Sequence, residues 1–403
     1  MRKLAVLACA AALVAASCTS GNPQTQPTKS ATPPGPQHFT VSVDASPQTV
    51  QYNGSPVTVP LVADLFFPSS LSVHPGDAVT FQEQPTGEIH TVTLGTLIDQ
   101  SASATTPLPS PSRGAPSPTG AAAAAALVPN IFPTGFPGAR ANAVASAAQP
   151  CFLDTGAPPL NGPCPQVAQP AFNGTQAFYS SGWLPPGSSF TVTVSATTPP
   201  GTYQFRDLAH PAMTGELQVE PAAEPIPPPS QVAAAGAAQL QAAALAQAPA
   251  VAGATAAAAV TSTVVAGITE AGVTGTFVAL FAPATLTVTA GQTVAWNLYG
   301  QQSIAISPPP GATGLLTRLA NGTVQFNTTA INHVGGVSGP NGLPPRPETV
   351  NGGTYTGGFH NSGLLLSSPP NLITYIVKFA TPGTYTVQSL SYPSMTETVN
   401  VVP

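Results

Sequence analysis

Apolar and polar residues alternate in short runs along this chain. Phe39-Thr-Val-Ser-Val43 alternates, which is the two-residue period of a strand that buries one face. Leu71-Ser-Val73, the turn signal Pro75-Gly76-Asp77 and Ala78-Val-Thr-Phe81 predict a hairpin. Ile89-His90-Thr91-Val92 predicts a further strand, and Phe190-Thr-Val-Thr-Val194 another. The latter leads into PPGTYQFRDLAHPAMTGELQV, residues 199–219, where Tyr203 and Phe205 alternate before a turn-like segment and Leu217 and Val219 after it. That reads as strand, loop, strand. The loop carries Asp207, His210 and Met213 at intervals of three, a spacing that can turn three side chains toward one point.

The pattern then recurs. Phe281-Ala-Pro283-Ala-Thr-Leu286-Thr-Val288-Thr-Ala-Gly291-Gln-Thr-Val294 aligns without a gap on Phe66-Phe-Pro68-Ser-Ser-Leu71-Ser-Val73-His-Pro-Gly76-Asp-Ala-Val79. Phe359 to Gly363 echoes Phe178 to Gly182, and Pro382-Gly-Thr-Tyr385 through Met395 echoes Pro200-Gly-Thr-Tyr203 through Met213. Such internal similarity predicts two copies of one all-β domain, at 38–220 and 263–403. The first carries a low-complexity insert at about 99–177, with a pure alanine run from Ala121 to Ala126. Between the copies, 221–262 reads as an Ala/Pro-rich linker, stiff at Pro227–Pro229. Within it Gln231–Ala248 has helix-forming composition, Ser230 as a candidate cap and Gly236 as an interruption.

Only 6% of the 403 residues are charged and the net charge is −5. With 9 Lys and Arg in total there is no basic patch for nucleic acid. High Ala, Pro, Thr and Gly with little charge suits sandwich domains joined by flexible tracts, not a helical enzyme. Arg2 and Lys3 precede an apolar run from Leu4 to Ala16, shorter than the roughly 20 residues of a membrane span and typical of an export signal. Leu13-Val-Ala-Ala-Ser-Cys18 resembles a bacterial lipobox. It implies a signal peptide at 1–17, acylation (palmitate) at Cys18 and a disordered stalk at 18–37, with the protein lipid-anchored to the cell membrane on its extracytoplasmic face. An ordinary secretory signal is the alternative. Cys9 leaves with the signal, so Cys151 and Cys164 are expected to form a disulfide in the oxidising compartment.

The stretch from Gly201 to Gly215 resembles the C-terminal signature of the cupredoxins, the blue type 1 copper family, G-T-Y-x-F/Y-x-C-x-x-H-x-x-M-x-G. Gly201, Thr202, Tyr203, Phe205, His210, Met213 and Gly215 match, and Asp207 stands where the cysteine would be. Phe67 to Phe81 followed by His90-Thr91-Val92 resembles the family's N-terminal half, where a histidine opening an H-T-V strand is the first ligand. The resemblance implies two tandem Greek-key β-sandwiches and a site in the first made of His90, Asp207, His210 and Met213. The second copy has Ser389 and Tyr392 in place of Asp207 and His210, and Ala305 or Ser303 where His90 would fall, so it reads as metal-free.

A blue-copper site needs two imidazoles, a thiolate and a weak thioether. A carboxylate in place of the thiolate is a hard donor that prefers Cu(II) or another divalent ion, Zn(II) included. Each residue also has a plainer reading. His90 suits a satisfied buried histidine, Asp207 a cap on backbone N–H groups, and Met213 core filling. His210 reads as a ligand or the relic of one. His74 reads as exposed, while His333 and His360 have no evident partner. With no H-x-H pair, serine elbow, phosphate loop or zinc-protease motif, the chain reads as a non-enzyme. Two functions follow. One is copper binding, for electron transfer or copper handling with a redox or envelope partner. The other is a metal-free binding or structural module of the envelope.

Overall fold

The computed structural model describes residues 35–88, 90–96, 98–99, 170–176, 179–182, 184, 186–207, 210, 212–257, 263–318, 324–331, 349–367 and 372–403. The expected signal, Cys18 and nearly all of the stalk lie outside these residues, as do most of the insert, Cys151, Cys164 and His333. Among the described residues no helix is long and apolar enough to cross a membrane.

The first half supplies β1 His38–Val43, β2 Gln48–Tyr52, β3 Ser55–Val59, β4 Leu61–Ala63, β5 Phe66–Phe67, β6 Ser70–Val73, β7 Ala78–Glu83, β8 Thr93–Leu94, β9 Tyr179–Ser180, β10 Ser189–Thr193, β11 Gly201–Arg206 and β12 Thr214–Val219. Helix α1, Pro229–Ala257, follows. The second half supplies β13 Thr263–Ile268, β14 Thr276–Ala282, β15 Thr285–Thr289, β16 Thr293–Leu298, β17 Gly300–Gln302, β18 Ala305–Ile306, β19 Leu316–Arg318 and β20 Val324–Phe326. Helix α2, Thr328–Ile331, leads to β21 Thr349–Tyr355, β22 His360–Asn361, β23 Leu365–Ser367, β24 Ile373–Phe379, β25 Gly383–Gln388 and β26 Thr396–Val402.

The fold is all-β, built of sandwiches. Sheet β10-β7-β1-β5 faces sheet β6-β12-β11-β8-β9, and in the second half β24-β16-β13-β14 faces β15-β26-β25-β18-β22 in the matching order. β21 and β4 extend the second half's first sheet at its two edges. Alternation drives this layering: β7 buries Val79, Phe81 and Glu83 while its other residues face outward. Phe66, Phe81 and Phe205 interlock edge-to-face in the first core, with centroids 4.8–6.1 Å apart. In the second core Trp296 packs against Tyr375 and Phe379 with tilted rings, each pair of centroids 6.3 Å apart.

Two expectations are corrected by the pairing. Leu71–Val73 and Ala78–Phe81 do not form a hairpin. β6 runs parallel to β12 in one sheet and β7 parallel to β1 in the other, so Pro75–Asp77 is a crossing between layers. His90 sits before β8 as an isolated bridge to Leu184, not within a strand.

The segment expected as a linker carries a packed helix. α1 begins at Pro229, where a missing N–H costs nothing, so Ser230 lies inside the helix rather than capping it. Ala244, Ala248 and Val251 share an apolar cluster with Val50, Val59, Phe67 and Val278, joining both halves. Gly236 lets the helix approach: a Cβ there would lie 2.8 Å from Pro68 N. Strand β4 crosses over as well, pairing antiparallel with β14 through Val62 and Phe277.

Candidate metal centre

The site lies at the loop end of the first sandwich. Asp207 follows β11 directly, His210 lies in the loop to β12, and His90 precedes β8. Asp207 and His90 are fully buried, and the His210 side chain is 26% exposed. His90 Nδ1–H donates to Asp207 Oδ2 at 2.8 Å and His210 Nδ1–H donates to the same oxygen at 2.7 Å. The ring centroids are 4.9 Å apart. An ionised carboxylate only accepts, so both Nδ1 atoms carry the protons. The other oxygen, Oδ1, accepts from Thr91 N–H at 2.9 Å and Thr91 Oγ1–H at 3.1 Å. Asp207 thus caps backbone and gathers both imidazoles at once.

The Met213 side chain is fully buried in the apolar cluster with Val92, Phe205 and Leu217. Its backbone shapes the loop: Asp207 N–H donates to Met213 O at 3.0 Å, and Met213 N–H to His210 O at 2.8 Å.

Four further carboxylates surround the imidazoles, and the sequence reading did not single them out. Asp44 follows β1, Asp64 follows β4, Glu83 ends β7, and Glu88 lies in the loop to His90. His90 Nε2 is 3.6 Å from Asp44 Oδ2 and 3.7 Å from Glu88 Oε2, and His210 Nε2 is 3.8 Å from Asp64 Oδ1. Asp44 is pinned by Ala45 N–H, Ala63 N–H and the Thr86 hydroxyl. The second half reaches in as well: Tyr392 O–H donates to Glu88 Oε1 at 2.5 Å. Gly87 permits this closure, since a Cβ would fall 2.1 Å from Ser391 O and its φ is +104°. The positive φ is one that side chains rarely adopt. One signal for Glu83 was present in the sequence: it continues the buried alternation of Val79 and Phe81.

The electrostatics follow from burial and charge. Burial pushes Glu83 well above the usual carboxylate range, and it raises Glu88 to about 8 with help from Asp64. Burial alone would lower both imidazoles. The neighbouring carboxyls, Glu83 first, and the hydrogen bond to Asp207 instead hold His90 above its ordinary value. Asp64, then Asp207, raise His210 to about 9. Burial alone would raise Asp207, but His210 and both hydrogen bonds pull it well below the usual range. The two imidazoles are thus biased toward the charged form around one carboxylate, and Glu83 and Glu88 toward the neutral acid.

The equivalent place in the second sandwich is neutral. Ser389 N–H donates to Met395 O at 3.0 Å and Met395 N–H to Tyr392 O at 2.8 Å, the same loop as in the first. Thr93 pairs with Arg206 as Ala305 pairs with Gln388, so Gln302 holds the place of His90, which corrects the alignment to Ala305 or Ser303. Ser389 Oγ–H donates to Gln302 Oε1 at 3.1 Å. His360 is buried against Tyr375, with its Nε2 2.6 Å from the hydroxyl.

No family model and no curated protein matches the chain. Solved structures do. Dithionite-reduced auracyanin from Roseiflexus castenholzii is 18% identical over 47% of this chain and all of its own, with a TM-score of 0.23. Auracyanin A, a "blue" copper protein from Chloroflexus aurantiacus, is 15% identical over 46% of this chain and all of its own, also at 0.23. The plastocyanin of Dryopteris crassirhizoma is 21% identical over 34% of this chain and 98% of its own, at 0.17. The sandwich architecture itself stands on the strand pairing.

Proposed function

We propose that the chain is a membrane-anchored, extracytoplasmic protein of two tandem cupredoxin-like sandwiches, the first of which binds one divalent transition-metal ion, copper in preference to zinc, without acting as an enzyme. The observation that carries this is the convergence of two imidazole Nδ1 atoms on one buried carboxylate oxygen, at 2.7 and 2.8 Å. His90, Asp207 and His210 each offer a donor atom, and these lie within 4.8 Å of one another.

The donor set fits such an ion. Imidazole suits copper and zinc alike, while a carboxylate in place of a thiolate favours the divalent state. His90, Asp207 and His210 would hold the ion, and Thr91 would hold Asp207 in place through the oxygen it already bonds. Bound copper would supply a one-electron couple. The hard oxygen donor favours metal handling over fast electron transfer. Binding would displace the proton that each Nδ1 now gives to Asp207. Cys18 supplies the anchor in this reading, and a redox or envelope protein is the partner.

One observation favours the rival, a metal-free envelope module: Asp207 is already satisfied by both imidazoles and Thr91. Titrating the full-length, chelator-stripped protein with Cu(II) while recording paramagnetic resonance separates the two. Copper binding predicts a saturable signal at one ion per chain with nitrogen hyperfine structure, lost in His210→Ala. A spectrum of unbound Cu(II) only, or one unchanged in His210→Ala, leaves the metal-free module.

A further inference from the structure

Fourteen Asp and Glu residues are all that 403 positions contain, and five of them, Asp44, Asp64, Glu83, Glu88 and Asp207, meet around two histidines. Four of the five are at most 4% exposed. Burying an uncompensated carboxylate costs several kcal/mol, and an apolar residue of similar size is usually the cheaper filling. Asp207 has its compensation in His90 and His210. Glu83 has none: it is 1% exposed and neither oxygen finds a hydrogen-bond partner among the described residues. The same holds for Glu88 Oε2 and for His90 Nε2. Unpaired atoms of this kind, pointing at one another, mark a place where a cation belongs.

We propose that the site takes a second divalent cation, held by Asp44, Glu83, Glu88 and the Nε2 atom of His90. His90, having given up both ring protons as an imidazolate, is then the wall shared by two ions, Nδ1 turned to the first and Nε2 to the second. This rests on the metal-binding reading above and extends it from one ion to two. Asp44, Glu83 and His90 bring donor atoms within 4.8 Å of one another, and Glu88 Oε2 stands 3.7 Å from the same Nε2.

The supports of this second set are already in place. Two backbone N–H groups and the Thr86 hydroxyl fix Asp44. Tyr392 holds Glu88 Oε1, leaving Oε2 for the ion. These are the outer contacts that orient carboxylate ligands. Three carboxylates and one imidazole make a hard, oxygen-rich set, suited to Zn(II) or Mn(II) rather than Cu(I).

The test counts ions. Full-length protein is stripped with chelator, equilibrated with excess Zn(II), freed of unbound metal by gel filtration and measured by inductively coupled plasma mass spectrometry. Wild type is expected to retain two Zn(II) per chain, Glu83→Gln one, His210→Ala one, and the double variant none. Glu83→Gln keeps the side-chain shape, and circular dichroism checks its fold. Glu88→Gln gives the same count of one should Glu83→Gln fail to fold. One Zn(II) in wild type, unchanged by Glu83→Gln or Glu88→Gln, overturns the second site and leaves the first standing. Two Zn(II) retained in both variants also overturns it, and none in wild type overturns both sites.

Discussion

Replacing Asp207 by Asn keeps the shape of the side chain and its bond from Thr91 but removes the charge that both imidazoles face. The size of the loss follows from the contacts. Each Nδ1–H to Oδ2 bond, at 2.7 and 2.8 Å, is charge-assisted, a class that contributes about 1.5–3 kcal/mol. Two unit charges at 4 Å attract by about 4 kcal/mol at an effective dielectric constant of about 20. The His210 side chain is 26% exposed, so solvent screens its share and the lower end applies. Breaking a buried pair by removing one partner costs about 3–5 kcal/mol. Asp207→Asn should therefore destabilise the metal-free protein by about 3 kcal/mol, measured by urea unfolding in chelator at pH 7. A double-mutant cycle isolates the pair. Asp207→Asn combined with His210→Gln should show a coupling of about 1–2 kcal/mol, within the range for residues in contact. Additive effects, or a loss under 1 kcal/mol for Asp207→Asn alone, would refute the picture of an anion held between two cations.

Other substitutions probe the same reasoning. Asp207→Cys puts a thiolate beside two imidazoles, so Cu(II) should give it intense visible absorption while wild type with Cu(II) stays pale; equal spectra would count against the shared site. Burial raises Glu397 to about 8, while Trp296 Nε1–H donates to it at 2.7 Å. The folded state thus keeps a proton that the unfolded chain loses above about 4.5, and stability falls as pH rises toward 8, at up to about 1.4 kcal/mol per unit. Glu397→Gln removes that slope, so it should gain stability over wild type between pH 5 and 8 in urea melts; parallel curves would refute this. Gly236→Ala drives a Cβ to 2.8 Å from Pro68 N whereas Gly253→Ala meets nothing within 4 Å. The first should lower the melting temperature by overpacking, and the second raise it through helix propensity of up to about 1 kcal/mol; the opposite order would show the α1 contact to be loose.

Local period made part of this legible. Tyr203 and Phe205 alternate and form β11, and the motif spacing places His210 beside Asp207. Asn53-Gly54 between Val50-Gln-Tyr52 and Val57-Thr-Val59 is a two-residue hairpin signal that was readable too, and both turn residues have positive φ. What local pattern could not carry is non-local pairing. β1 and β7 run parallel with Val43 opposite Glu83, and only that register puts Asp44 next to Glu83. The sheet assignment of β6 and β7 failed for the same reason, because a turn signal does not say which layer the next strand joins. Tyr392 reaches Glu88 across 304 positions, through a contact that neither half specifies alone. Glu83 and Glu397 were readable in principle, each sitting on the buried face of an alternating strand.

The two ligand-loop positions separate what the fold needs from what the site adds. Both loops close with the same backbone bonds, at 3.0 and 2.8 Å, and both bury a methionine in the core beneath. One loop carries Asp207 and His210, the other Ser389 and Tyr392, and the inner partner changes from His90 to Gln302. The loop conformation therefore depends on Met213 and Met395 and their backbones, and neutral side chains suffice to fill it. Nothing in the packing of a sandwich end calls for imidazoles ringed by carboxylates, which burial makes costly. The first half keeps that costly set on a scaffold that the second half shows can do without it, and the proposed metal sites would account for its retention.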